Sequence, residues 1–210
     1  MPHHCFISFK KEDQKIVDKI SELLDDEDIK NKSLDEWIDS DDLDYVMQVI
    51  REKYMSNTSV TIYVIGKHSS ENEGFEDGYN KQSFVIRELQ ATLYDGKNNR
   101  RSGLLGVVLP VMYSSIYGGS YHCTECESDH NIVRMDDNVV IREFGQNYYL
   151  KPIKTGCRNV YNENGRYCVL VKYDDFIKDP NKYIDEAYDK TQEEIAKSVH
   201  WRDIEHDWEE

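Results

Sequence analysis

No stretch of the 210 residues approaches the length of a membrane-spanning run, and basic residues are scarce. Lys and Arg total 26 against 41 Asp and Glu, a net charge of −15. The first absence argues against a transmembrane helix, which needs about 20 consecutive apolar residues. The second disfavours nucleic acid and membrane lipid as partners, because an acidic surface repels phosphate. Any anionic ligand therefore needs a local basic pocket. The opening Met1-Pro2-His3-His4 lacks the basic-then-apolar order of a secretion signal, so a cytoplasmic location is expected. Cysteine is sparse and odd in number, five in all, unlike a secreted disulfide framework. The glycine fingerprints Gly-x-Gly-x-x-Gly and Gly-x-x-x-x-Gly-Lys-Ser/Thr are also missing, which argues against a Rossmann oxidoreductase or a P-loop enzyme.

What is present is an alternation of short β-prone runs with amphipathic helical patterns. Cys5–Phe9 reads as a buried strand, and Ile16, Val17, Ile20, Leu23 and Leu24 as the apolar face of a helix. Leu43, Val46, Met47 and Ile50 mark a second helix, capped by Ser40 or Asp41. Val60–Ile65 is β-branched at nearly every position, as expected of a strand covered on both faces. The polar stretch 67–81 reads as a loop, and Phe84, Val85, Glu88, Leu89, Thr92 and Leu93 as a third helix bounded by Asp95-Gly96. Leu104–Leu109 is another buried strand, ended by Pro110. The alternation then stops until Tyr167–Val171 and a helix opening at Pro180 that includes Tyr183, Ile184, Ala187, Tyr188, Thr191 and Ile195. Between them only Asn138–Ile141 suggests a strand. The pattern predicts one α/β domain over residues 1–199, with a parallel sheet flanked by helices. An insertion at about 113–166 precedes the last strand, and residues 200–210 form an acidic tail.

In open parallel sheets, ligands bind beyond the carboxyl ends of the strands. Those ends here are Ser8–Lys11, Gly66–Lys81 and the loop after Leu109. Glu88 follows Phe84 by four residues, which puts ring and carboxylate one turn apart on a helix face directed at the sheet. On spacing alone, a structural glutamate is the commoner meaning. In the insertion, Cys123, Cys126 and His130, with the distant Cys157, supply donor types suited to structural zinc. A single Cys-x-x-Cys without a second spaced pair is thin evidence for it. Cys5 and Cys168 lie in apolar runs and read as small core residues.

Taken in order, several segments resemble the TIR-like family, in particular the TIR-like proteins of the bacterial Thoeris antiphage system. They are Phe6-Ile7-Ser8-Phe9 with Lys10-Lys11-Glu12-Asp13, then Ser33-Leu34-Asp35-Glu36-Trp37, then Thr58–Lys67, and finally Phe84 with Glu88. The resemblance runs over residues 5–111 and resumes at 169–195. It implies a flavodoxin-like parallel sheet and cleavage of NAD at the nicotinamide–ribose bond. Nicotinamide is released, and a cyclic or conjugated ADP-ribose signal activates a separate effector that the enzyme does not touch directly. In such a site Glu88 is the catalytic residue, and NAD is the substrate with no further cofactor required. Lys10, Lys11 and Arg87 are the basic residues placed for the diphosphate, Phe9 or Trp37 for stacking, and Ser8 and Phe84 for the pocket wall. A phage-derived trigger and self-association are the other partners to expect. Many NAD-cleaving TIR domains carry Trp-Cys where this chain has Phe84-Val85. The alternative is a non-catalytic TIR-like module that acts through protein–protein assembly and has no need of a carboxylate facing a pocket.

Overall fold

A computed structural model of the chain describes residues 3–24, 29–30, 43–55, 57–72, 75–76, 79–80, 83–96, 100–152 and 160–201. Its centre is a five-stranded parallel sheet of β1 (Cys5–Ser8), β2 (Ile29–Lys30), β3 (Val60–Ile65), β6 (Gly103–Val108) and β9 (Val169–Lys172). The spatial order is β2-β1-β3-β6-β9. Counted among sheet strands alone this is 2-1-3-4-5, the doubly wound flavodoxin-like order. The expectation of an α/β parallel sheet is met.

The helices are α1 (Gln14–Leu23), α2 (Leu43–Lys53), α3 (Ser83–Leu93), the single turn α4 (Tyr113–Ile116), α5 (Arg142–Tyr148), the single turn α6 (Tyr173–Phe176) and α7 (Pro180–Lys190). Two short antiparallel pairs stand apart from the main sheet: β4 (Phe75–Glu76) with β5 (Tyr79–Asn80), and β7 (Tyr117–Cys123) with β8 (Ser128–Val133). No helix among the described residues is long and apolar enough to cross a membrane.

Strand periodicity divides the core. Cys5 and Ile7 of β1, Val60, Ile62 and Val64 of β3, and Leu105 and Val107 of β6 pack with Val17 and Ile20 of α1 and Ile184 and Ala187 of α7. On the opposite face Tyr63, Ile65, Leu104 and Val108 meet Val85, Ile86, Leu89 and Leu93 of α3 and Phe144 of α5. Phe6 packs there with Val46, Met47 and Ile50 of α2. Burying each such side chain stabilises the fold by about 1.5–3 kcal/mol before chain entropy is charged against it. Close approach is purchased with glycine at β6: a Cβ on Gly103 would lie 2.2 Å from the Ala187 carbonyl oxygen of α7.

Several sequence-based readings move: the stretch 67–81 holds the short pair β4–β5, and the insertion holds β7 and β8, where the sequence suggests a strand only at Asn138–Ile141. Asn138–Ile141 is a turn leading into α5 and not a strand. The Asp136 carboxylate accepts from the Asn138 amide at 2.9 Å and its carbonyl accepts from Val139, so local hydrogen bonds satisfy the backbone that a sheet would otherwise pair. Val140 and Ile141 still reach the core, which explains the apolar signal. The last strand starts at Val169, because the Tyr167 and Cys168 amides both turn to the Asn147 carbonyl. The final helix ends at Lys190, and Ile195 belongs to a separate 3-10 turn, Glu194–Ser198.

Candidate functional site

β1 ends at Ser8, on the strand face that alternation directs toward α3. The same face of the neighbouring strand carries Thr61 and Tyr63, with Phe6 paired to Thr61 and Ser8 to Tyr63. Above them lies α3, bringing Glu88 to the end of β1. The Ser8 hydroxyl donates to the Glu88 carboxylate at 2.6 Å, and both residues are buried, Glu88 at 1% exposure. At 2.6 Å it lies at the short end of the range for hydroxyl-to-oxygen hydrogen bonds.

α3 is held at this height by a hydroxyl relay one turn further on. Thr92 donates to the Glu88 carbonyl at 2.9 Å and lies 2.8 Å from the Thr61 hydroxyl. Thr92 has a single hydroxyl proton, so Thr61 is the donor in the second bond. The relay ties the backbone of Glu88 to β3 while Ser8 ties its side chain to β1. Glu88 is thus tied to two adjacent strands, its carboxylate at the carboxyl end of β1 and its backbone, through Thr92, near the start of β3.

Next along that edge, Gly66 follows β3. Its amide donates to the Ser69 hydroxyl at 2.8 Å, and that hydroxyl donates in turn to the Val64 carbonyl. The Asp13 carboxylate lies against Gly66, at a distance that leaves no room for a Cβ. Its Oδ2 is buried without a hydrogen-bond partner among the described residues. Burial raises the Asp13 pKa from its ordinary value, with His68 opposing the rise and Glu12 adding to it. The meeting of Asp13 with Gly66 depends on two loops that no local sequence pattern connects. Tyr63 beneath is fully buried and donates to the Ser69 carbonyl at 2.8 Å, and burial pushes its phenol pKa upward.

The sequence-derived candidates separate into groups. Ser8 and Glu88 come together. Phe9 does not join them: it packs on the opposite side of the sheet against the cluster that contains Ile7, Val17 and Ile20. The two-residue repeat of a strand puts neighbours Ser8 and Phe9 on opposite faces, so they cannot share one wall. Lys10 is half-buried in extended backbone just before the 3-10 turn Lys11–Asp13, and Lys11 is exposed. Phe84 is 37% exposed, unlike the sheet-directed ring that the helical spacing predicts. Four residues of helix rise about 6 Å, enough to separate an exposed ring from a buried carboxylate. Arg87 is half-buried beside Glu88. Trp37 and Cys157 lie outside the described residues.

In the segment between β6 and β9, the ligand atoms of Cys123, Cys126 and His130 lie within 4.8 Å of one another. Clefts walled by described residues include two. One, of about 520 Å³, is lined by Tyr121, His130, Tyr149, Tyr161 and Arg166 among others. The second, of about 400 Å³, includes Tyr148, Glu163, Lys182 and Glu186. Neither shares a residue with the Ser8–Glu88 pair.

Residues 6–76 match the family model described as Thoeris protein ThsB, TIR-like domain. The matched segment includes Ser8, Phe9, Lys10 and Trp37 and ends before α3 and Glu88. No curated protein matches the chain at a significant level.

Proposed function

From the match of residues 6–76 to a ThsB TIR-like domain, we propose an enzyme that cleaves NAD at the nicotinamide–ribose bond, with Glu88 as its catalytic residue. The observation that carries this reading is the Ser8–Glu88 hydrogen bond of 2.6 Å, at the sheet edge where open α/β folds bind ligands. Nicotinamide departs as a neutral ring and leaves an oxocarbenium-like ribose. A carboxylate fixed beside the sugar stabilises that developing positive charge and orients the ribose hydroxyls. Ser8 holds the carboxylate in one orientation until a ribose hydroxyl replaces it. Lys10 and Arg87 supply positive charge for the diphosphate. Water or a second nucleophile then captures the ribose, giving an ADP-ribose product; in antiphage defence a cyclic or conjugated form would signal to a separate effector.

The burial of Glu88 at 1% exposure favours a second reading, in which the carboxylate is a structural tie between α3 and β1 and the domain acts by assembly. Nicotinamide release from NAD, measured for the wild type beside Glu88→Gln, separates them. The catalytic reading requires turnover by the wild type and its loss in the variant, with folding retained.

A further inference from the structure

The two-stranded ladder β7–β8 does not join the main sheet, and its base, Tyr117 and Val133, packs on the core. An isolated hairpin of two strands is at best marginally stable in water, and the middle of β7 is exposed from Ser120 to His122. Yet Cys123, at the end of that strand, is buried at 8% exposure. The register explains what gathers there. Tyr121 pairs with His130 and Cys123 with Ser128, so by two-residue alternation Tyr121, Cys123, Ser128 and His130 share one face. Glu127, with φ of 54°, turns the chain between the strands through the left-handed region. Cys126 comes back toward that face, its sulfur 3.1 Å from His130 Nε2. His122 projects from the other face, where it meets Asp129 at 3.0 Å.

We propose that Cys123, Cys126 and His130 bind a zinc ion that staples the β7–β8 hairpin. All three donor atoms lie within 4.8 Å of one another. Zinc–sulfur and zinc–nitrogen bonds of about 2.3 and 2.0–2.1 Å give tetrahedral edges of roughly 3.5–3.8 Å, so small side-chain adjustments close the site. Two thiolates and a neutral imidazole form the donor set zinc prefers over harder cations. Together the thiolates balance the ion's double charge, and deprotonating both thiols releases two protons on binding. Cys123 and Cys126 span the turn while His130 lies on the return strand, so the metal cross-links the hairpin. The fourth tetrahedral position accepts water or a further donor. This site is separate from the Ser8–Glu88 pair and does not depend on NAD cleavage.

The test uses the full chain, purified under reducing conditions, stripped of metal and titrated with Co²⁺ as a spectroscopic substitute for Zn²⁺. The expected result is one equivalent bound with thiolate-to-cobalt charge-transfer absorption, displaced by Zn²⁺. Cys126→Ser and His130→Asn should each weaken binding by on the order of 10-fold or more, whereas His122→Asn should leave it intact. Cys126 in the turn and His130 on β8 are both only partly buried, and circular dichroism checks that the variants fold. Absence of the charge-transfer band, or binding undiminished in both ligand variants, overturns the proposal.

Discussion

Ser8 and Glu88, eighty residues apart, share a buried hydrogen bond of 2.6 Å between the end of β1 and the middle of α3. It is a stability feature as well as a candidate catalytic one, and substitutions separate the two. Ser8→Ala removes a donor from a buried carboxylate and should cost about 1–3 kcal/mol of folding stability. Glu88→Gln keeps an oxygen acceptor for Ser8 and should cost less. Urea unfolding of the two variants checks the order; a Ser8→Ala protein as stable as the wild type would show that the bond contributes little.

Asp13 gives a pH prediction. Its pKa is raised in the folded state, chiefly by burial, with His68 opposing and Glu12 adding. A raised folded-state pKa means that the native protein binds more protons than the unfolded chain within the intervening pH window. Stability from this group is therefore present below the unfolded carboxylate range and is lost as pH rises through the folded-state value. Asp13→Asn should unfold at higher temperature than wild type near neutral pH, and the gap should narrow as the solution is acidified. A gap that widens in acid contradicts the burial account.

Gly103 tests the packing of α7 on the sheet. A methyl group there would lie 2.2 Å from the Ala187 carbonyl oxygen and 2.5 Å from its carbon. Backbone cannot swing aside as a flexible side chain does, so Gly103→Ala should cost about 1–3 kcal/mol through forced separation of strand and helix. The denaturation midpoint reads it directly, and an unchanged midpoint would refute this close approach.

Much of the fold was legible because its signals are local. The β-branched run 60–65 became β3, and the spaced apolar residues from Ile16 to Leu24 became α1. The parallel order followed from alternation. Failures occurred where tertiary partners decide local structure. Val139–Ile141 has strand-like composition, but Asp136 binds the turn and the core takes the side chains. At the candidate site, Glu88 stood out by its spacing from Phe84, and Ser8 by its strand end. Their direct bond was not readable, since it depends on how far α3 sits along β1. Phe9 looked equivalent to Ser8 until strand alternation carried it to the other face. Asp13 against Gly66 left no local signature.

If Glu88 carries NAD cleavage, nicotinamide release reports it without an intermediate step. Purified wild type and Glu88→Gln are incubated with NAD, alone and with lysate from phage-infected cells to supply a trigger. Release by the wild type in at least one condition is expected, with a loss on the order of 10²-fold or more in the variant. Equal release by both proteins, or none by the wild type in either condition, would contradict it.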